Sequence, residues 1–394
     1  MASYGSRGDV EPCAAVGREL LRRGHDVCMA VAPNMVGFVE SAGLAAVAYG
    51  PDPNEQMKPA ADMVFNFATK MQNPITMFTE VFERVSQVKA DKGTTLTSLA
   101  KGADLLLAGF NERGLAANIA EYHRIPVVAV HFFPERIWSS GNLHSSIAQA
   151  TDDAQRRELG LPEATKASMD LGSLEIEAYD GLCLPGPVAD WVERDGRRPL
   201  VGALTLELPA EADDEALSWI AAGTPPIYFG FGSTPVASFA DTVAMIGAAC
   251  TQLGERALIC SGPNDFTNIP HPDHVKIVSA VNHAAIFPVC RVAVHHGGAG
   301  TTAAAMRAGI PMLILWLWLD QPVWAAAVTR LGVGSGRSFS ATTQESLADD
   351  LRPTLTPEYA ARAREVAAQM TKSADSVARA ADLVEETARL GRPG

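Results

Sequence analysis

From Asp26 onward the chain alternates short apolar runs with longer amphipathic ones. Strand patterns at 26–31, 44–49, 104–110 and 126–132 are separated by helical patterns at 35–42, 76–101 and 113–122. Within 76–101, Phe78, Val81, Phe82, Val85 and Val88 recur at helical spacing. Apolar strands alternating with helices predict a parallel sheet covered on both faces. Ahead of this series, Ala2-Ser3-Tyr4 is a stub of strand. It runs into Gly5-Ser6-Arg7-Gly8-Asp9 and a helix with Val16, Leu20 and Leu21 on one side, stopped by Gly24.

The rhythm loosens from Pro134 to about Pro185, apart from a charged helical pattern at 151–159, and prolines and an acidic cluster at 211–215 follow. It restarts at Pro226 with strand patterns at 227–231, 257–260, 275–278 and 290–294, and helical ones at 239–252 and 283–288. Ala303–Ala308 is a helix-forming run stopped by Gly309, Met312–Leu319 a buried strand, and Asp320 starts a helix ended by Gly332. Helical segments at 344–352 and 357–389 complete the chain. The expected division is a first domain over 1–190, a linker over 191–215, a second domain over 216–375, and a closing helix over 376–394 that packs back on the first domain.

Composition narrows the function. A chain of 394 residues suffices for two domains of ordinary size. No run of about 18 uncharged apolar residues exists to span a bilayer. The net charge of −13 argues against nucleic acid or an anionic membrane surface as the principal partner. Cysteines 13, 28, 183, 250, 260 and 290 show no metal or redox spacing, which reads as buried thiols in a reducing compartment. No leader pattern is visible at the start, so a cytoplasmic location is expected.

The candidate chemistry centres on His295-His296-Gly297-Gly298-Ala299-Gly300-Thr301-Thr302, a glycine-rich turn between a strand and a helix. Such a turn leaves backbone N–H groups unpaired at a helix N-terminus, where about half a positive charge collects, and that environment suits phosphate. Helix starts at 300–302 and at 320–321 would both open on the crevice at the carboxyl ends of the strands.

Four segments stand in one order: Gly5-Ser6-Arg7-Gly8-Asp9-Val10-Glu11-Pro12, Phe229-Gly230-Phe231-Gly232-Ser233, the 295–302 turn, and Asp320-Gln321-Pro322. In that order they resemble glycosyltransferase family 1, in particular its bacterial glycopeptide-antibiotic branch. Residues 19–27 and 339–343 are most similar to the mycobacterial glycopeptidolipid glycosyltransferases. The resemblance implies an α/β GT-B architecture: two Rossmann-like, doubly wound parallel-sheet domains facing across a cleft, the acceptor domain first and the nucleotide-sugar domain second.

It also implies roles. The donor diphosphate would be held by Ser233, Thr234, His296, Gly298, Ala299, Gly300 and Thr301, the base by Val281 beside Asn282 and His283, and the sugar by Asp320 and Gln321. Asp9 would be the catalytic residue, taking or orienting the acceptor hydroxyl proton; the alternative is an aspartate capping the helix that follows. His295 and the tryptophans at 316, 318 and 324 are expected in packing roles, although Trp316, where relatives commonly have proline, could reshape the pocket wall. Asp213, Asp214, Asp349 and Asp350 are expected in solvated segments.

No metal and no cofactor are expected. Ala304 stands where plant members carry a glutamate that holds both ribose hydroxyls. Losing that acceptor removes the reason to prefer a ribose donor. The expected activity is inverting transfer of a 6-deoxyhexose, such as rhamnose or 6-deoxytalose, from a dTDP- or UDP-sugar to a hydroxyl of a lipopeptide or similar amphiphilic natural product. Such an acceptor leaves peripheral association with the inner face of the plasma membrane open. Two alternatives are a UDP-glucose-dependent sterol or lipid glucosyltransferase and a non-catalytic nucleotide-binding helper.

Overall fold

The computed structural model describes residues 1–53, 74–134, 142–163, 174–184, 197–232, 238–262, 269–318 and 320–391. The chain forms two compact units. The first comprises Met1–Ala178, Val188–Leu204 and Ala374–Gly394; the second comprises Tyr179–Pro187 and Thr205–Ser373.

In the first unit the strands are β1 (Ala2–Ser3), β2 (Cys28–Val31), β3 (Ala45–Ala48), β4 (Leu106–Gly109), β5 (Val127–His131) and β6 (Leu174–Glu177). They make one parallel sheet in the order β3-β2-β1-β4-β5-β6. Around it lie α1 (Arg7–Arg22), α2 (Val36–Ser41), α3 (Pro74–Leu99), α4 (Arg113–His123) and α5 (Asn142–Glu158). The central strands β4 and β5 are almost wholly apolar and buried at every position because both faces are covered, and Leu106 and Ala108 of β4 share one buried cluster with Ile119, Ala116 and Leu96.

The second unit begins with α6 (Asp213–Ala221) and continues with β7 (Ile227–Gly230), α7 (Phe239–Leu253), β8 (Ala257–Cys260), β9 (Val275–Val278) and the short α8 (His283–Ile286). After these come β10 (Val292–His295), α9 (Ala299–Ala308), β11 (Met312–Trp316), α10 (Gln321–Leu331), β12 (Gly334–Ser338), α11 (Gln344–Thr354) and α12 (Pro357–Ala367). Its parallel sheet runs β12-β11-β10-β7-β8-β9. Counted from each unit's own first strand, the two orders are the same. Each reverses direction between its first and fourth strands, and that switch is where doubly wound folds open a ligand crevice.

Three sequence expectations are corrected. Strands β6 and β12 fall where no strand pattern was read. The 357–389 segment is two helices, α12 and α13 (Ser373–Leu390). They part because the connecting residues bond elsewhere. The Thr371 N–H and hydroxyl donate to Asp180 Oδ1 at 3.0 and 2.9 Å, and its carbonyl accepts from Arg307 Nε at 2.9 Å. Helix α13 belongs to the first unit, where Arg23 and His25 pair with Asp382 and Glu385. Thirdly, Asp213 is not solvated. It is buried, and accepts N–H bonds from Ala210 and Asn282, both at 2.8 Å.

Candidate functional site

At the switch point of the first sheet, the turns after β1 and β4 meet. Gly5 has φ +140°, and a Cβ there would collide with the Asp9 carboxylate, so the aspartate folds back over the turn. Ser6 is the N-cap of α1 and Asp9 its third residue, which makes a capping box. Asp9 Oδ2 accepts from the Ser6 N–H at 2.7 Å and the Ser6 hydroxyl at 2.9 Å. Capping is therefore part of what Asp9 does. Its Oδ1 accepts from Asn111 Nδ2 at 3.0 Å, across the switch point from the β4 turn.

The next residue, Glu112, is buried and holds Lys92 at 2.6 Å and the Tyr49 hydroxyl, which anchors that turn. Arg7 pairs with Glu11 at 2.7 Å and lies over Phe38. Asn111 escaped the sequence reading because nothing local marks it; only the strand order sets it beside Asp9.

The second switch point joins the turns after β7 and β10. Gly297, at φ +93°, lifts the chain off β10, and Gly298 is the N-cap of α9. The first three amides of α9, those of Ala299, Gly300 and Thr301, precede any carbonyl of their own helix. Gly300 is exposed, and a Cβ added there would meet nothing within 4 Å, so this helix tip is open. Thr302 N–H and its hydroxyl both bond the Gly298 carbonyl, at 2.9 Å each, and so fix the first turn.

The His296 ring lies between two glycines. A Cβ on Gly232 would approach its Cε1 to 2.7 Å and one on Gly298 its Nε2 to 2.6 Å. Burial pushes the His296 pKa down to about 4, opposed by a hydrogen bond with the Gly230 backbone. At neutral pH the ring is uncharged, so it offers a nitrogen for hydrogen bonding and the positive potential comes from the helix tip. His295 is fully buried, with its pKa held well below the ordinary value by burial, and its Nδ1 accepts from the Gly297 N–H at 3.1 Å. Ser233 and Thr234 lie outside the described residues.

Of the remaining candidates, Gln321 packs against Gly297, just ahead of this tip. Asp320 Oδ2 accepts from Trp324 Nε1 at 2.7 Å and makes no side-chain cap to α10; burial raises its pKa. Trp324 is itself buried, edge-on to Tyr179 at 6.2 Å. Gln321 Oε1 accepts from the Leu317 and Trp318 amides at 2.8 and 3.3 Å, which leaves the Nε2 amide as the half open to a ligand. Val281 is only 4 % exposed, and what positions it is the Asp213 bond to the Asn282 amide. His283 reaches the Tyr228 hydroxyl at 3.0 Å and stacks on Phe287. Among the described residues, no group of three or more His, Cys, Asp and Glu could hold a metal ion.

Comparison with known proteins finds a separate family model for each end of the chain. Residues 1–139 match the N-terminal domain of glycosyltransferase family 28, and residues 260–388 the C-terminal domain of erythromycin biosynthesis protein CIII-like proteins. An uncharacterized glycosyltransferase of Mycobacterium tuberculosis is 56 % identical over 100 % of this chain and 99 % of its own. A sterol 3-beta-glucosyltransferase of Arabidopsis thaliana is 28 % identical over 96 % of this chain and 66 % of its own. Among solved structures, the glycosyltransferase VinC in complex with dTDP superposes with a TM-score of 0.68 at 21 % identity, covering 100 % of this chain and 99 % of that one.

The chain belongs to the GT-B glycosyltransferases, in the group that resembles the antibiotic glycosyltransferases. It is a nucleotide-sugar-dependent enzyme.

Proposed function

We propose that the enzyme transfers a 6-deoxyhexose, such as rhamnose or 6-deoxytalose, from a dTDP-sugar to a hydroxyl of an amphiphilic lipopeptide or similar natural product, with inversion and without metal or cofactor. The observation that carries the reading is the open N-terminus of α9, with Gly300 exposed and His296 neutral beside it. A diphosphate leaving group gathers negative charge as its bond to the anomeric carbon breaks. Amides and a helix dipole fixed in advance stabilise that charge without reorganising. The Gly298–Thr301 amides, His296, and Ser233 and Thr234 of the turn after β7 would receive the diphosphate. Asp320 and the Gln321 amide would hold sugar hydroxyls, and the segment at Val281 the base.

In the proposed reaction the acceptor oxygen attacks the anomeric carbon, the bond to the diphosphate breaks, and the hydroxyl proton passes to Asp9. An ordinary carboxylate has a pKa of about 4, so it takes that proton only as the new bond forms. The Oδ1 atom, oriented by Asn111, is the oxygen suited to it. Ala304, one turn into α9, offers no acceptor to a ribose 2′-hydroxyl, which supports a deoxyribose donor. The reaction would run in the cytoplasm, with an amphiphilic acceptor drawing the enzyme to the inner membrane face.

The plant sterol relative supports a second reading, a UDP-glucose-dependent sterol or lipid glucosyltransferase. A panel of dTDP-rhamnose, dTDP-glucose and UDP-glucose, read by thermal shift and by nucleoside diphosphate release with a lipopeptide or a sterol, separates the two. A ligand present at 100 times its dissociation constant adds about 2.7 kcal/mol of stability. Stabilisation by UDP-glucose alone would sink the deoxyhexose reading.

A further inference from the structure

We propose that Trp318 is a donor-specificity residue whose indole face stacks on an apolar face of the transferred hexose. The inference rests on the donor-site reading above and adds a residue to it. Of the three tryptophans in this segment, Trp324 is buried and spends its N–H on Asp320, and Trp316 is partly buried at the end of β11. Trp318 differs from both: it is 47 % exposed. A tryptophan is highly buried on average, and Trp318 leaves about half of its surface open to a ligand.

Its setting says what the contact is. Within three residues along the chain stand a partly buried carboxylate, Asp320, and a primary amide, Gln321, and the Gln321 Oε1 also fastens the Trp318 amide. The indole is thus presented on a turn tied down by one of the groups proposed to hold hydroxyls, so little is lost on ordering it.

A hexopyranose needs both kinds of partner. Its hydroxyls call for bidentate donors and acceptors, while its axial C–H bonds form a weakly positive apolar face that matches the negative face of an aromatic ring. A 6-deoxyhexose enlarges that apolar surface by replacing a hydroxymethyl with a methyl.

The test measures binding of dTDP and of dTDP-rhamnose, without acceptor, to wild-type enzyme, Trp318→Ala, Trp318→Leu and Trp318→Phe. The expected result is unchanged dTDP affinity in all four. The affinity for dTDP-rhamnose should fall about tenfold in the Ala and Leu variants and stay near wild type in Phe. The same series with UDP and UDP-glucose covers the other donor. Equal weakening of nucleotide and nucleotide-sugar, or no weakening of either, overturns the role of Trp318 and leaves the donor site standing. Wild-type enzyme that binds neither nucleotide overturns the donor-site reading itself, and this proposal with it.

Discussion

Asp9 does two jobs with its two oxygens. Oδ2 belongs to the capping box with Ser6, and Oδ1 meets Asn111. Replacing Asp9 with Asn preserves an acceptor for the cap and removes the proton acceptor. Turnover is then expected to fall by roughly 10²–10⁴-fold, while the melting temperature moves little. Asn111→Ala should lower kcat by roughly tenfold or more, the worth of a hydrogen bond to a charged group, with donor affinity unchanged. If Asp9→Asn turns over like wild type, the carboxylate is a cap and nothing else.

The second residue-scale expectation concerns His296. Unfolded, a histidine takes up its proton near pH 6.5; in the fold His296 does so only at about 4. Between those values the unfolded chain holds more protons, so stability drops as pH falls through that window. The loss attributable to His296 is on the order of 2–3 kcal/mol between about pH 7 and about pH 4.5. Urea midpoints of wild type and His296→Gln at the two pH values measure it; an equal drop in both would assign the effect elsewhere.

Among elements, α9 is the one on which the proposed chemistry turns. A Gly300→Asp substitution meets open space at the second helical position and adds a negative charge where a helix favours it. The melting temperature should hold or rise, while dTDP affinity falls at least tenfold, because the new carboxylate sits where a phosphate would. Calorimetric titration of dTDP reads this directly, and undiminished binding would move the diphosphate away from this tip.

The elements also show what the sequence could and could not reveal. Strand β8 has the bounds its apolar run predicted, 257–260, because an interior strand of a parallel sheet must be apolar on both faces, and the edge strand β9, at 275–278, was legible because it still buries Val275 and Val278. Strands β6 and β12 were missed, and each lies at an edge of its sheet. Strand β12 reads Gly-Ser-Gly-Arg-Ser and is held by its ladder to β11 rather than by side-chain pattern. Strand β6 buries Glu175 and Glu177, which Arg198 balances from beyond the local sequence. The turn residues of the candidate site were legible because glycine punctuation and capping are local. The Asn111 bond to Asp9, the Gly232 cradle of His296 and the Asp213 brace were not, since each depends on which strands become neighbours.

At the scale of the molecule, the first unit is closed by the end of the chain. Ala380, Ala381, Leu383 and Val384 of α13 are buried, and Arg23 and His25 reach Asp382 and Glu385. Deleting 374–394 should therefore loosen the first unit and spare the second. Hydrogen exchange should accelerate by about tenfold or more in α1, whereas β7, β10 and β11 keep their protection. Loss of protection in the second sheet at the same rate would mean that the helix stabilises the whole protein rather than one unit.

The same return of the chain sets a timetable for synthesis. A ribosome releases residues in order, and a unit can complete itself only when its last segment has emerged. The second unit ends at Ser373, the first at Gly394. The unit that begins the polypeptide is thus the later one to be finished, and its opening strands and helices must wait, incomplete, until α13 has left the ribosome.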